Sequence, residues 1–417
     1  MHDGRTTMTD ATPEAAEPKA HTVIDTRDEY LEAVALIAAG EGPVAVDAER
    51  ASGYRYSQRA YLIQIFRRDA GTFLFDPPAI GAMTELNEAI QQVEWVFHAA
   101  SQDLDCLKEV GLVPQRIFDT ELGARLAGLP RVGLGTVVES LLGIHLAKEH
   151  SAADWSTRPL PESWLLYAAL DVELLPDLRE AVAKLLEEQG KTEIAAQEFA
   201  DVLTRPARPS SRGEGWRRLS GVHSVRGGRN LAVAKALWEA RDAYAREIDT
   251  APGRLVPDAS LVAAAKALPS SKKELAGLKE FVGRASRTEL SRWWAAIETG
   301  LASTELPTLR VPGGDAVPPP KAWADRNPDA DERLKIVRPR IVELAEELQL
   351  PVENLLTPDT LRRVSWSPPE PLSAESLADA LASHGARQWQ IEATVQIIHE
   401  AFVEATQSAS ERDNAAS

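Results

Sequence analysis

Apolar residues recur at helical spacing through DEYLEAVALIAAG, and the pattern then changes to an almost unbroken apolar run in GPVAVDAER. The first stretch predicts an amphipathic helix and the second a buried strand. Strand-like runs return in YLIQIFRR, TFLFD and EWVFHAA, interleaved with helix-like ones, as far as residue 200. That alternation predicts an α/β layer architecture, with YLIQIFRR close enough behind the acidic strand to pair with it antiparallel. From residue 230 the spacing is helical only, as in LAVAKALWEARDAYAREI. A Pro-rich stretch, LPTLRVPGGDAVPPPKAWADRNP, is neither helix nor central strand. A last helical segment then closes the chain. AREIDTAPGRLVPDASL in the first helical segment and AEELQLPVENLLTPDTL in the second echo each other, which suggests a repeated helical module.

These shifts divide the chain into a disordered tail (1–21), an α/β domain (22–202), a linker (203–229), an all-α domain (230–305), a Pro-rich linker (306–331), a second all-α domain (332–405) and a disordered tail (406–417). The chain has 417 residues, 44% hydrophobic and 26% charged, with room for that many units. The single cysteine, Cys106, excludes an intrachain disulfide and a cysteine-built zinc site, which fits a reducing cytoplasm. No apolar run approaches a membrane span and the first residues lack the features of a signal peptide, so a cytoplasmic protein without membrane contact is expected. A net charge of −17 argues against a protein that coats nucleic acid nonspecifically, though not against an enzyme that handles it through metal ions. Locally the balance reverses. RPARPSSRGEGWRRLSGVHSVRGGR, from Arg205 to Arg229, carries seven Arg against one Glu around Trp216, either a solvated linker or a strip that tracks phosphates.

Three places hold candidate chemistry. Asp47 and Glu49 stand two apart on the first strand and project from the same face, where two carboxylates repel unless a cation or a strong donor lies between them. The bland alternative is a strand end meeting solvent. In EWVFHAASQDLDCLKEVG, a strand runs through His98 to Ser101, a candidate helix N-cap, with Asp103 in the first turn, Leu104 and Leu107 inward and Gly111 as the stop. Alone, Asp103 reads as a helix-start acid and His98 as a core histidine. In SWLLYAALDVELLPDL, Tyr167 and Asp171 lie four apart on one side of a helix, the spacing of an ordinary surface pair as well as of a site.

Taken together, D-x-E on a first strand, H-x-x-x-x-D at a strand-to-helix junction and Y-x-x-x-D on a late helix resemble the DEDDy class of 3′-to-5′ exonucleases. FDTELGARLAG, LLGIHLAKEH and DWSTRPLPESWLLYAALDV are similar to the ribonuclease D family in particular. The helical segment from residue 230 resembles the HRDC domain of that family, and the last segment a divergent second copy. The resemblance implies a ribonuclease H-like exonuclease domain with a mixed sheet followed by two all-α domains. It implies hydrolysis of RNA from single-stranded 3′ ends, tRNA precursors or other structured RNA, with release of nucleoside 5′-monophosphates and no obligate protein partner. By the same resemblance Asp47, Glu49 and Asp171 would bind one divalent cation, Asp47 would bridge to a second, and Asp103 would hold the second through water. Carboxylate and water ligands suit Mg²⁺ or Mn²⁺. Tyr167 would orient the attacking water, because a phenol with a pKa near ~10 is a poor free base at neutral pH.

Other residues compete or assist. Asp105, Asp119 and Glu121 have ordinary explanations as caps or solvated acids, and Asp154, Trp155 and Arg158 read as packing and positioning residues. Tyr54 and Arg55 could stack on or clamp substrate, as could His98, Trp216, Arg217 and Arg218. The Gly-Lys-Thr of EQGKTE lacks the earlier glycine of a phosphate loop and sits in helical sequence. Two rival readings stay open: a DNA 3′-to-5′ exonuclease, and a nucleic-acid-binding protein whose exonuclease fold is inactive. Residues 22 to 202 would hold all the chemistry, leaving the basic strip and the helical modules to supply remote phosphate contacts.

Overall fold

The computed structural model describes residues 21–146, 153–205, 215–309 and 317–416. The N-terminal tail expected over residues 1–21 therefore lies almost wholly outside the described residues, as do residues 206–214 of the basic stretch.

Six strands form one mixed sheet: β1 (Val23–Ile24), β2 (Glu41–Arg50), β3 (Ala60–Arg68), β4 (Gly71–Phe75), β5 (Trp95–Phe97) and β6 (Ile117–Asp119), in the order β1-β4-β3-β2-β5-β6. The acidic strand β2 is interior. It pairs antiparallel with β3, with Asp47 opposite Gln64 and Glu49 opposite Leu62, and parallel with β5 through Val44 and Trp95. Placement between two strands explains the unbroken apolar run, since Val44, Ala45 and Val46 are all buried. Between Glu49 and Arg50 the register slips, and the β3 partner moves from Leu62 to Ala60.

The helix Glu162–Glu173 packs over β2, β3 and β4 and buries Leu165, Ala168, Ala169 and Val172. Its remaining side turns Tyr167 and Asp171 toward the end of β2. The junction after β5 departs from expectation. Ser101 does not cap a helix: the chain first makes a 3₁₀ turn, Ala100–Gln102, and the helix Leu104–Glu109 starts one turn later with Asp103 at its N-cap position. The reason lies further along the chain. Asp119 accepts from the backbone N–H of Ala99 (3.0 Å) and Ala100 (2.9 Å), as well as capping its own helix through Glu121 and Leu122, so the first orphan donors after β5 are taken by an acid nineteen and twenty positions away.

The two helical segments share one design. Each is built on a 20-residue helix, Gly228–Glu247 and Pro328–Glu347, followed by a left-handed corner residue, Asp249 (φ 45°) and Gln349 (φ 51°). A single helical turn comes next, Pro252–Leu255 and Val352–Leu355, then a third helix, Asp258–Ala267 and Pro358–Trp366. Both corners face the α/β domain. The Asp249 carboxylate accepts from the backbone N–H (2.8 Å) and hydroxyl (3.3 Å) of Ser57 and from the Tyr61 hydroxyl (3.3 Å), and pairs with Arg59. The Gln349 carbonyl accepts from Lys191 (3.2 Å), whose ammonium also donates to the Leu126 carbonyl. Lys191 of the Gly-Lys-Thr stretch thus joins two units of the protein.

Three expected boundaries shift. Residues 215–229 are part of the first helical unit rather than linker, because Trp216, Leu219, Val222 and Val225 are buried in its core. The Pro-rich linker ends early, since Trp323 is fully buried against Trp366 (ring centroids 5.1 Å apart). The final helix, Gln388–Ala416, runs through the predicted C-terminal tail, which contains no Gly or Pro to stop it.

Candidate active site

The mouth of a cavity of about 440 Å³ opens where β2, the 3₁₀ turn and the helix Glu162–Glu173 meet. Asp47, Glu49, Asp103, Tyr167, Asp171 and His98 all line it, drawn together from positions spread over more than a hundred residues. Ligand oxygens of Asp47, Glu49 and Asp171 lie within 4.8 Å of one another. Asp103, only 5% exposed, lines the same cavity outside the close trio.

Burial dominates the electrostatics. It raises the carboxyl of Asp47 above its usual range and pushes that of Glu49 to about 10, with the Asp47, Asp171 and Asp103 charges adding to the second shift. Asp171 goes to about 7 through burial and the Asp47 charge, offset in part by a hydrogen bond from Tyr167. Asp103 is raised as well, by burial and then by Asp47. Four acids that resist ionising together are a poor way to fill a cavity unless cations neutralise them. Clustered hard oxygen donors without sulfur or neutral nitrogen among the close trio fit Mg²⁺ or Mn²⁺.

Two neighbours are held for this geometry. Burial, followed by the Asp171 and Glu49 charges, raises the Tyr167 phenol, so at neutral pH it keeps its proton and donates to Asp171. His98 Nδ1 lies 2.9 Å from the Thr120 hydroxyl, which itself donates to the Phe97 carbonyl. Burial lowers the imidazole to about 4, so it is neutral under ordinary conditions.

The remaining candidates stand apart. Tyr54 and Arg55 do not line the cavity: the Arg254 guanidinium lies 3.9 Å above the Tyr54 ring and Arg55 donates to Ser156 (2.8 Å), so both brace the loop after β2. Trp216 cannot stack on a base, because it is fully buried in the first helical unit under the Arg217 guanidinium. Arg217 donates to the Thr308 carbonyl, and Arg218 is exposed on the same unit, with neither lining the cavity. Arg158 is structural, paired with Asp76 (2.6 Å) and donating to the Tyr61 carbonyl. Arg50, Ser52, Gln102 and Glu121 also line the cavity. Of these only Glu121 was weighed from sequence, although Arg50 directly follows the D-x-E pair.

Comparison with known proteins decides the family. A model described as 3′-5′ exonuclease matches residues 22–187, an HRDC domain model residues 230–297, and one described as 3′ to 5′ exonuclease C-terminal domain residues 316–402. Ribonuclease D of Jannaschia sp. is 31% identical over 328 residues, 76% of this chain and 82% of that relative. The chain belongs to the ribonuclease D family. Among solved structures, a protein from Bifidobacterium adolescentis superposes with a TM-score of 0.83 at 36% identity, covering 93% of this chain and 99% of the other. Escherichia coli RNase D, described as an exoribonuclease involved in structured RNA processing, gives a TM-score of 0.63 at 26% identity, over 88% of this chain and 98% of the other. The protein is a 3′-to-5′ exoribonuclease that acts on RNA, and its family is metal-dependent. Its exonuclease domain is ribonuclease H-like, with the mixed sheet described above.

Proposed function

We propose that Asp47, Glu49, Asp103 and Asp171 hold two divalent cations, Mg²⁺ or Mn²⁺, and that with Tyr167 they remove nucleotides from single-stranded 3′ ends of structured RNA such as tRNA precursors. The observation that carries this reading is the trio of ligand oxygens within 4.8 Å of one another, half-buried beside a protonated tyrosine.

When bound, two such cations supply Lewis acidity that activates a water and stabilises the departing 3′ oxygen. The chain's own residues do the rest. Asp47 would be the ligand shared by both cations, with Glu49 and Asp171 completing one set and Asp103 holding the second through water; the trio of close ligand oxygens supports this. Tyr167 holds its phenolic proton and orients the water rather than deprotonating it. Water attacks phosphorus, the P–O3′ bond breaks, the shortened RNA keeps a 3′ hydroxyl and a nucleoside 5′-monophosphate leaves. The reducing environment suggested by the lone buried Cys106 supports a cytoplasmic site of action.

Asp47→Asn keeps the volume and removes a shared ligand, so hydrolysis of end-labelled RNA in Mg²⁺ or Mn²⁺ should disappear while the fold persists. A matched DNA substrate in the same assay should be cut more slowly. Near-normal turnover by Asp47→Asn sinks the two-cation assignment, and equal cutting of DNA sinks the preference for RNA.

A further inference from the structure

Alternation along a strand should send Arg50 to the face opposite Asp47 and Glu49. Arg50 nevertheless lines the same cavity as the acids, beside a bulge at which Tyr61 of β3 is skipped in the pairing. Among the described residues it is the only Arg or Lys that lines this cavity. Among the described residues Arg50 forms no ion pair or hydrogen bond, although its charge acts on Asp47, Glu49 and Asp103 and on the Cys106 thiol. A half-buried guanidinium thus stands among the acids of the cavity, within reach of an anion that enters it.

Charge counting says which anion. Four carboxylates balance two divalent cations, and the phosphodiester that enters brings one further negative charge. An arginine, whose planar fork matches phosphate oxygens, restores neutrality. We propose that Arg50 is a catalytic residue that binds the phosphate of the 3′-terminal nucleotide, the group that leaves as the 5′-phosphate of the product. This rests on the two-cation reading above.

The product carries that phosphate without being hydrolysed further, so it is a clean probe. Calorimetric titration of the full-length protein in Mg²⁺ with adenosine 5′-monophosphate, and separately with adenosine, measures the contact directly. Arg50→Met should weaken binding of the monophosphate by about tenfold to a hundredfold, the range of a lost hydrogen bond to a charged group, and leave adenosine unchanged. Arg50→Lys, which keeps a point charge, should recover part of the loss and covers the case in which the methionine variant misfolds. Single-turnover hydrolysis should show a raised half-saturating RNA concentration in the same order. Equal weakening of both ligands, or no weakening of either, would mean that Arg50 only balances the acids, and the proposal is then wrong. The reading beneath it fails separately, through an active Asp47→Asn.

Discussion

Tyr167 is the residue whose role the geometry narrows most. Its phenol is raised well above the ordinary range by burial and by the Asp171 and Glu49 carboxylates, which removes it as a general base and leaves orientation of water as its contribution. Tyr167→Phe should therefore lower single-turnover rate by about 10²-fold with little change in stability, and an unchanged rate would make the hydroxyl merely structural. The acids predict a pH dependence of the metal-free fold. Asp171 is held at about 7 and Glu49 at about 10 in the folded protein, against about 4 in an unfolded chain. Between those limits the native state keeps protons that the unfolded state has lost, so stability falls as pH rises from about 4, through 7 and on toward 10. Melting in chelator should drop between pH 5 and 8, and Mg²⁺ should flatten that slope. A chelated protein whose melting temperature is level or rises over this range would contradict the burial described. At this scale the sequence was most informative where a spacing carried the chemistry: D-x-E and Y-x-x-x-D each fix a shared face. Asp119 was legible only as a cap, since its second pair of donors comes from a turn nineteen and twenty residues earlier.

At the scale of elements, the pairing of β2 with β3 follows from two adjacent apolar runs, whereas β1, two residues long, has no periodicity to detect. The β3 bulge beside Arg50 is also silent in sequence, because a register slip is a property of two strands together. The loop joining β2 to β3 matters more than its polar composition suggests. Besides the Asp249 contacts, its Tyr56 hydroxyl donates to Asp242 (3.0 Å), its Gly53 carbonyl accepts from Arg254 (2.7 Å) and its Tyr54 carbonyl accepts from Ala251 (3.0 Å). Ser52 of the same loop lines the cavity. The first helical unit thus steadies one lip of the active site. Asp249→Ala should cost about 1 to 3 kcal/mol of stability and slow hydrolysis even of a short oligonucleotide that reaches no helical module. Normal kinetics on that substrate, with the stability loss present, would show that the lip needs no support.

For the whole molecule, sequence patterning separated an α/β unit from two helical ones but gave no warning of how deeply the last is fused to the first. One continuous apolar core contains sheet residues such as Val46 and Phe97 together with Ile341, Trp389 and Phe402, while the first helical unit keeps a core of its own. Glu198, only 3% exposed, binds both Arg387 (2.6 and 2.7 Å) and the Trp389 indole (2.8 Å) across that junction. Such long-range complementarity leaves no local signature. A protein ending at Val202 should consequently melt lower than the full chain and lose activity on short and long RNA alike, rather than become selectively poor on long RNA. A stable fragment with full activity on short substrates would show that the shared core is dispensable for chemistry. The two left-handed corners differ in what they ask of their own residue. Lys191 reaches the carbonyl of Gln349, a group every amino acid carries, whereas Ser57, Tyr61 and Arg59 need the carboxylate of Asp249. Replacement should therefore be tolerated at one corner, where asparagine or glycine would even ease the backbone, and penalised at the other, so that two positions of the same shape have unequal freedom to change.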